Sequence, residues 1–140
     1  MNFILEAIQK VISIKSRFII HHHFADRAGE HFDLRIEKDG VLKSWATRKL
    51  EDLLKNPAIK IQLFQTPDHN LEEWIKFKGR IPSGEYGGGT VEIFDKGPIK
   101  IIKWDDKSKV IIFNGKKING KYAIIQPKPN MFMMLKMVVI

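Results

Sequence analysis

Apolar and polar positions alternate along most of the chain. RFIIHHH, HFDLRIE, LKSWATRK, KIQLFQ, WIKFKG, TVEIFD, IKIIKW, KVIIFN and KYAIIQ are short runs rich in Val, Ile, Phe, Trp and Thr. The turn sequences KDG, PDHN, IPSGEYGGG, DKGP, DDKS and NGKKING separate them. Runs of this composition and period predict β-strands, and many of them at close spacing predict an antiparallel barrel or sandwich. Two segments follow a helical period instead. Ile4, Ile8, Val11 and Ile12 predict an amphipathic N-terminal helix over 3–15, and LEDLLKNP, residues 50–57, predicts a second helical turn. No repeat, linker or low-complexity tract divides the chain, so one domain is expected over residues 1–140.

The run HFDLRIE sorts into two rows, because successive side chains of a strand point to opposite faces. Phe32, Leu34 and Ile36 form an apolar row, while His31, Asp33, Arg35 and Glu37 form a polar one with neighbours about 7 Å apart. In the preceding run His21 and His23 share a face and His22 takes the other. Pairing of the two strands through FADRAGE would let His21, His23, His31 and Asp33 meet. Two imidazoles and a carboxylate suit a divalent metal that keeps positions open for water and a substrate oxygen; manganese fits this set, and zinc and iron also accept it. The plainer reading is a row of polar residues facing water, as in many half-exposed antiparallel sheets. Arg35 shifts the balance toward phosphate chemistry, since a guanidinium matches phosphate oxygens with paired donors.

Charge and composition narrow the partners. The chain has 24 Lys+Arg against 16 Asp+Glu, a net charge of +8, which favours an anionic partner and above all nucleic acid. With no cysteine, disulfides, thiolate metal sites and thiol nucleophiles are excluded, and a reducing cytoplasmic setting is expected. MNFILEAIQK lacks the pattern of a signal peptide, and MFMMLKMVVI falls short of the ~20 apolar residues of a membrane span, so no membrane association is expected.

FIIHHH, HFDLRIEKDGVLKSWATRK, PDHN, FKGRIPSGEYGGGTVEIFDKG and NGKYAIIQPK with MFMMLK, in that order, resemble the 3′-phosphoesterase domain of bacterial ligase D and its stand-alone archaeal relatives. The similarity runs from about Arg17 to Lys136. It implies a compact antiparallel β-barrel flanked by helices, with a surface groove as active site. It also implies a manganese-dependent enzyme that removes 3′-phosphates, and trims 3′-terminal ribonucleotides, at DNA primer ends during end joining. A separate DNA ligase or polymerase of that pathway is then the expected partner.

By position, the resemblance makes His23, His31 and Asp33 metal ligands and Arg35 a phosphate-binding arginine. His69 becomes the second catalytic histidine, and Lys49 a lysine of the phosphate pocket. His21, at a position where the family usually has glutamine, is expected to contact substrate. The chain departs from the pattern in two extra residues between His23 and His31, which leave His21, His22 and His23 all open as first ligand. Trp74 also stands near the place of a family tyrosine, and Lys60 near that of an arginine. MNFILEAIQKVISIK shows no counterpart of the charged segment that supports the diesterase step, so phosphomonoesterase activity is the stronger expectation.

GEYGGG does not read as a phosphate loop, because TVEIFD continues it as a strand and supplies no helix N-terminus. Glycines 87 to 89 are expected to serve positive φ or a bulge. Trp45, Trp74 and Trp104 are expected to pack rather than stack on bases. The rival to an enzyme is a basic β-barrel that binds nucleic acid without chemistry; a hydrolase of small phosphate esters is a third reading.

Overall fold

The computed structural model describes residues 15–137, of which nine stretches are extended. They are β1 (Lys15–Ala25), β2 (Gly29–Lys38), β3 (Val41–Thr47), β4 (Lys60–Asn70), β5 (Gly79–Ile81), β6 (Gly89–Trp104), β7 (Ser108–Asn114), β8 (Asn119–Lys128) and β9 (Met131–Lys136). Two short helices, α1 (Leu50–Lys55) and α2 (Leu71–Trp74), flank β4. The expected second helix is α1, and the expected N-terminal helix lies outside the described residues. No helix among the described residues is long and apolar enough to cross a membrane.

The strands pair antiparallel in the order β1-β2-β3-β4-β9-β8-β7-β6, and β6 pairs back onto β1. Eight strands thus close a barrel, which leaves β5 as an extra strand on β6. Closure removes the free edges that an open sheet would expose. Between β2 and β3 the chain turns on Asp39 and Gly40, with φ of 54° and 81°, the conformation that a two-residue hairpin of this twist requires.

The apolar rows point inward. Phe18 and Ile20 of β1, Leu34 of β2, Trp45 of β3 and Leu63 of β4 are buried in one cluster with Phe113 and Phe132 from the opposite wall. Phe18 meets Phe113 edge-on with ring centroids 5.1 Å apart, and Leu50 and Leu53 of α1 join the same cluster. The other face of β1 to β4 carries His21, His23, His31, Asp33, Arg35 and His69, so the polar row stands on the outside of the barrel.

The strand pattern needs three corrections. WIKFKG is not a strand over its length, because Asn70 caps the preceding turn by accepting a hydrogen bond from the Glu73 amide at 2.9 Å; only Gly79–Ile81 is extended. TVEIFD and IKIIKW are one strand. DKGP does not break it, since pairing with β7 begins only at Ile99 and Pro98 has a strand on one side alone. MFMMLK, absent from the strand runs of the sequence pattern, is β9, and it joins β4 to β8 to complete the ring.

Candidate active site

Register places the polar residues opposite one another. His21 pairs with Asp33 and His23 with His31 across β1 and β2; Asp33 pairs with Ala46 and Arg35 with Ser44 across β2 and β3; Ser44 pairs with Thr66 across β3 and β4. A slip of one residue in any pair would turn the whole row inward, but the apolar cluster behind it forbids that. A cavity of about 700 Å³ opens over the row, and His23, His31, Asp33, Arg35 and His69 all line it.

Three of these residues converge. Ligand atoms of His23, His31 and Asp33 all lie within 4.8 Å of one another. His23 Nδ1 is 3.1 Å from Asp33 Oδ2, and His31 Nε2 is 3.2 Å from Asp33 Oδ1. The far nitrogen of each ring faces a backbone carbonyl: His23 Nε2 lies 2.6 Å from Gly87 O and His31 Nδ1 lies 3.1 Å from Gly29 O. A carbonyl oxygen only accepts, so the hydrogen of each neutral ring sits on that far nitrogen and its lone pair faces the carboxylate. Two lone pairs and an anionic oxygen pair cannot rest against each other unless a cation lies between them. Either extra protons or a metal ion can take that place, and carbonyl-anchored imidazoles are the usual support of metal-binding histidines.

The electrostatics of the site express the same pull. The hydrogen bond to Asp33 raises the His31 pKa above its ordinary value, against the effect of burial. Burial alone would raise the Asp33 carboxyl. Hydrogen bonds from His23 and His31, together with the Arg35 charge, outweigh it and hold the group well below the usual carboxylate range.

Arg35 is held on three sides. Its Nε donates to His21 Nδ1 at 3.1 Å, one terminal nitrogen donates to Ser44 Oγ at 2.9 Å, and the other lies 3.6 Å from Asp33 Oδ2. Trp74 covers the guanidinium, with 5.2 Å between the Arg35 carbon and the ring centroid. His21 in turn donates from Nε2 to Phe77 O at 2.9 Å, so both its nitrogens are committed and the ring is neutral. Burial, then the Arg35 charge, lowers its pKa to about 4.

His69 reaches the site from the end of β4. Its Nδ1 lies 2.8 Å from Pro67 O and 3.2 Å from a terminal nitrogen of Arg35. The carbonyl can only accept, so Nδ1 carries the hydrogen, and the guanidinium contact is a repulsive one. Burial and then Arg35 accordingly lower the His69 pKa, leaving Nε2 as an unprotonated acceptor.

The structure thus brings His23, His31, Asp33, Arg35 and His69 together and leaves two expected substrate contacts outside. His21 is fully buried behind Arg35 and is absent from the cavity wall. The Lys49 side chain is 68% exposed, 3.9 Å from Asp52, and also off the wall, where Thr47 and Arg48 stand instead. His22 points to the opposite face; it stacks on Phe32 with centroids 4.3 Å apart and lies 2.7 Å from a Glu30 oxygen. Among the three adjacent histidines only His23 meets the carboxylate. Sequence reasoning passed over Ser44, although Trp45 as a core residue places its neighbours Ser44 and Ala46 on the Arg35 face. It also missed the carbonyls of Gly29 and Gly87. No side-chain pattern reports a carbonyl, though Gly87 at φ 74° marks the turn that aims one.

The comparisons with known proteins agree with this geometry. The family model described as DNA Ligase D 3′-phosphoesterase domain matches residues 21–126. A multifunctional non-homologous end joining protein, LigD, of Mycobacterium bovis is 42% identical over 113 residues, covering 78% of this chain and 14% of that protein. The LigD proteins of Mycolicibacterium smegmatis and Pseudomonas aeruginosa are 37% and 35% identical, over 80% and 79% of this chain and 16% and 13% of theirs. The chain therefore spans only a small part of the length of these relatives. With most of the chain matched by the family model, and the matched strands carrying the His23, His31, Asp33 and Arg35 cluster, the chain belongs to the DNA ligase D 3′-phosphoesterase domain family.

Proposed function

We propose that the protein is a metal-dependent phosphoesterase that removes the 3′-phosphate from DNA strands in end joining, with manganese as its metal. One observation carries the reading: two imidazoles anchored by backbone carbonyls turn their lone pairs onto a single carboxylate beside an oriented arginine. His23, His31 and Asp33 would hold the metal, and their mixed nitrogen and oxygen donors, with water in the open positions, suit a first-row divalent ion such as manganese. Such an ion polarises a phosphoryl group and makes water a stronger nucleophile.

The remaining residues divide the rest of the work. Arg35 spends Nε–H on His21 and one terminal N–H on Ser44 and lines the cavity, and its other terminal nitrogen, 3.6 Å from Asp33, would donate to equatorial phosphate oxygens. A bound phosphate dianion would offset the Arg35 charge and restore basicity to His69, whose Nε2 then takes up a proton and delivers it to the leaving 3′ oxygen. His21 orients Arg35, and Arg48 supplies a cation at the lip where Lys49 was expected. The healed 3′-hydroxyl would pass to a ligase or polymerase.

The test is release of inorganic phosphate from a 3′-phosphorylated primer-template, with manganese, without it, and with a chelator. Phosphate should appear only with metal and should vanish in His31→Ala and Asp33→Ala variants that keep the wild-type circular dichroism. Salt-sensitive DNA binding with no turnover would make the protein a basic barrel without chemistry. Equal turnover of a generic aryl phosphate would remove DNA from the assignment.

A further inference from the structure

The cavity is larger than a phosphate needs. Its 700 Å³ falls within the ~300–1,000 Å³ that ordinarily bury most of a small organic ligand. Besides the polar row, its wall includes two exposed aromatic residues, Phe64 at 55% and Tyr86 at 73% exposure. An exposed phenyl ring on a rigid strand costs solubility and adds nothing to the core. Of the three tryptophans, Trp45 is buried and Trp104 packs against the core cluster, while Trp74, also on the cavity wall, is committed to covering the Arg35 guanidinium.

Register fixes where Phe64 stands. Asp33 pairs with Ala46, and Ala46 with Phe64, so the three side chains form one row across β2, β3 and β4 on the outer face. Two strand spacings put Phe64 about 10 Å from Asp33 along the sheet. Between them Ala46, also on the cavity wall, is too small to fill the floor. Tyr86 comes from the opposite side, in the loop whose next residue, Gly87, anchors His23. A phosphate held beside Asp33 and Arg35 therefore has a flat apolar ring within a nucleotide's reach on the β4 side.

We propose that Phe64 is the platform on which the base of the 3′-terminal nucleotide stacks, so that the site grips the end nucleotide as well as its phosphate. This rests on the 3′-phosphate reading above and deepens it: the substrate is a nucleotide end whose last base lies in the cavity, out of its stack. A phenyl face binds any base without reading its hydrogen-bonding edge, which suits an enzyme that must accept every sequence at a broken end.

The experiment compares two 3′-phosphorylated strands, one ending in a normal nucleotide and one in an abasic residue. Both are assayed with wild-type protein, Phe64→Leu and Phe64→Trp. Each pair is measured for kcat/KM with manganese and for equilibrium binding by fluorescence anisotropy. Phe64→Leu should lose roughly 5- to 150-fold on the base-bearing strand, should leave the abasic strand unchanged, and should be rescued by Phe64→Trp. Equal losses on both strands, or none on either, would overturn the platform. If wild-type protein turns over neither strand yet binds the base-bearing one more tightly, and Phe64→Leu erases that preference, the phosphatase reading fails while the platform stands.

Discussion

Lowering the pH should destabilise this protein through His21, and replacing His21 by glutamine should remove that part of the sensitivity. His21 is neutral because Nδ1 accepts from Arg35 and Nε2–H donates to Phe77 O, and its pKa falls from 6.5 to about 4. A histidine lowered in the folded state costs nothing above its unfolded value, where both states are neutral. Between the two values the unfolded chain binds a proton that the folded chain refuses, so stability declines as pH falls. The full gap is worth about 3 kcal/mol, and going from about pH 7 to about pH 4.5 takes up about 2 kcal/mol of it. A cation in the neighbouring triad would push the His21 pKa further down, so the sign is the same with metal or without. His31 works the other way: its raised pKa adds stability below its unfolded value that is lost as pH rises. The comparison must therefore be between variants. The glutamine amide offers one acceptor for Arg35 and one donor for Phe77 O and carries no titration, and glutamine is the residue the family resemblance places here. Urea denaturation of the wild type and His21→Gln at both pH values should show the wild type losing about 2 kcal/mol more than the variant. A difference below about 1 kcal/mol would refute the argument that His21 is locked as a neutral spacer.

Two further outcomes follow from the same geometry. Asp95 is buried and accepts from four backbone amides, with Oδ1 taking Lys96 and Lys116 and Oδ2 taking Lys117 and Ile118; Asp95→Asn turns an amide donor against two of them and should cost roughly 2–4 kcal/mol by chemical denaturation. Manganese at a hundredfold excess over its dissociation constant should stabilise the wild type by about 2.7 kcal/mol, seen as a rise in Tm that a chelator reverses and that Asp33→Ala lacks; an equal rise in that variant would place the metal elsewhere.

How much of this was legible beforehand depends on the range over which each feature is set. The alternation in HFDLRIE and FIIHHH already assigned faces, because a strand's two-residue period is a property of the local backbone. It therefore put His31, Asp33 and Arg35 on one face of their run, and His21 and His23 on one face of theirs with His22 on the other, and left the choice of first ligand to the pairing. The LEDLLK turn and the KDG hairpin were equally local and appear where expected. The ordered motifs then sufficed to indicate the family that the comparisons bear out.

What the chain could not declare by itself is who lies across from whom. His21 and His23 share a face, yet one is sealed under Phe77 and the other opens on the cavity, since depth depends on which distant segment covers each. WIKFKG has a strand's composition but serves as part of that cover, and MFMMLK becomes a strand only because β4 and β8 leave a gap for it. The exchange of Lys49 for Arg48 at the lip, the two carbonyls that aim the imidazoles, and the exposure of Phe64 on the site face are likewise products of closure. Periodicity is written residue by residue, whereas partners, depth and carbonyl direction come into being only when the ring of eight strands joins β6 back to β1.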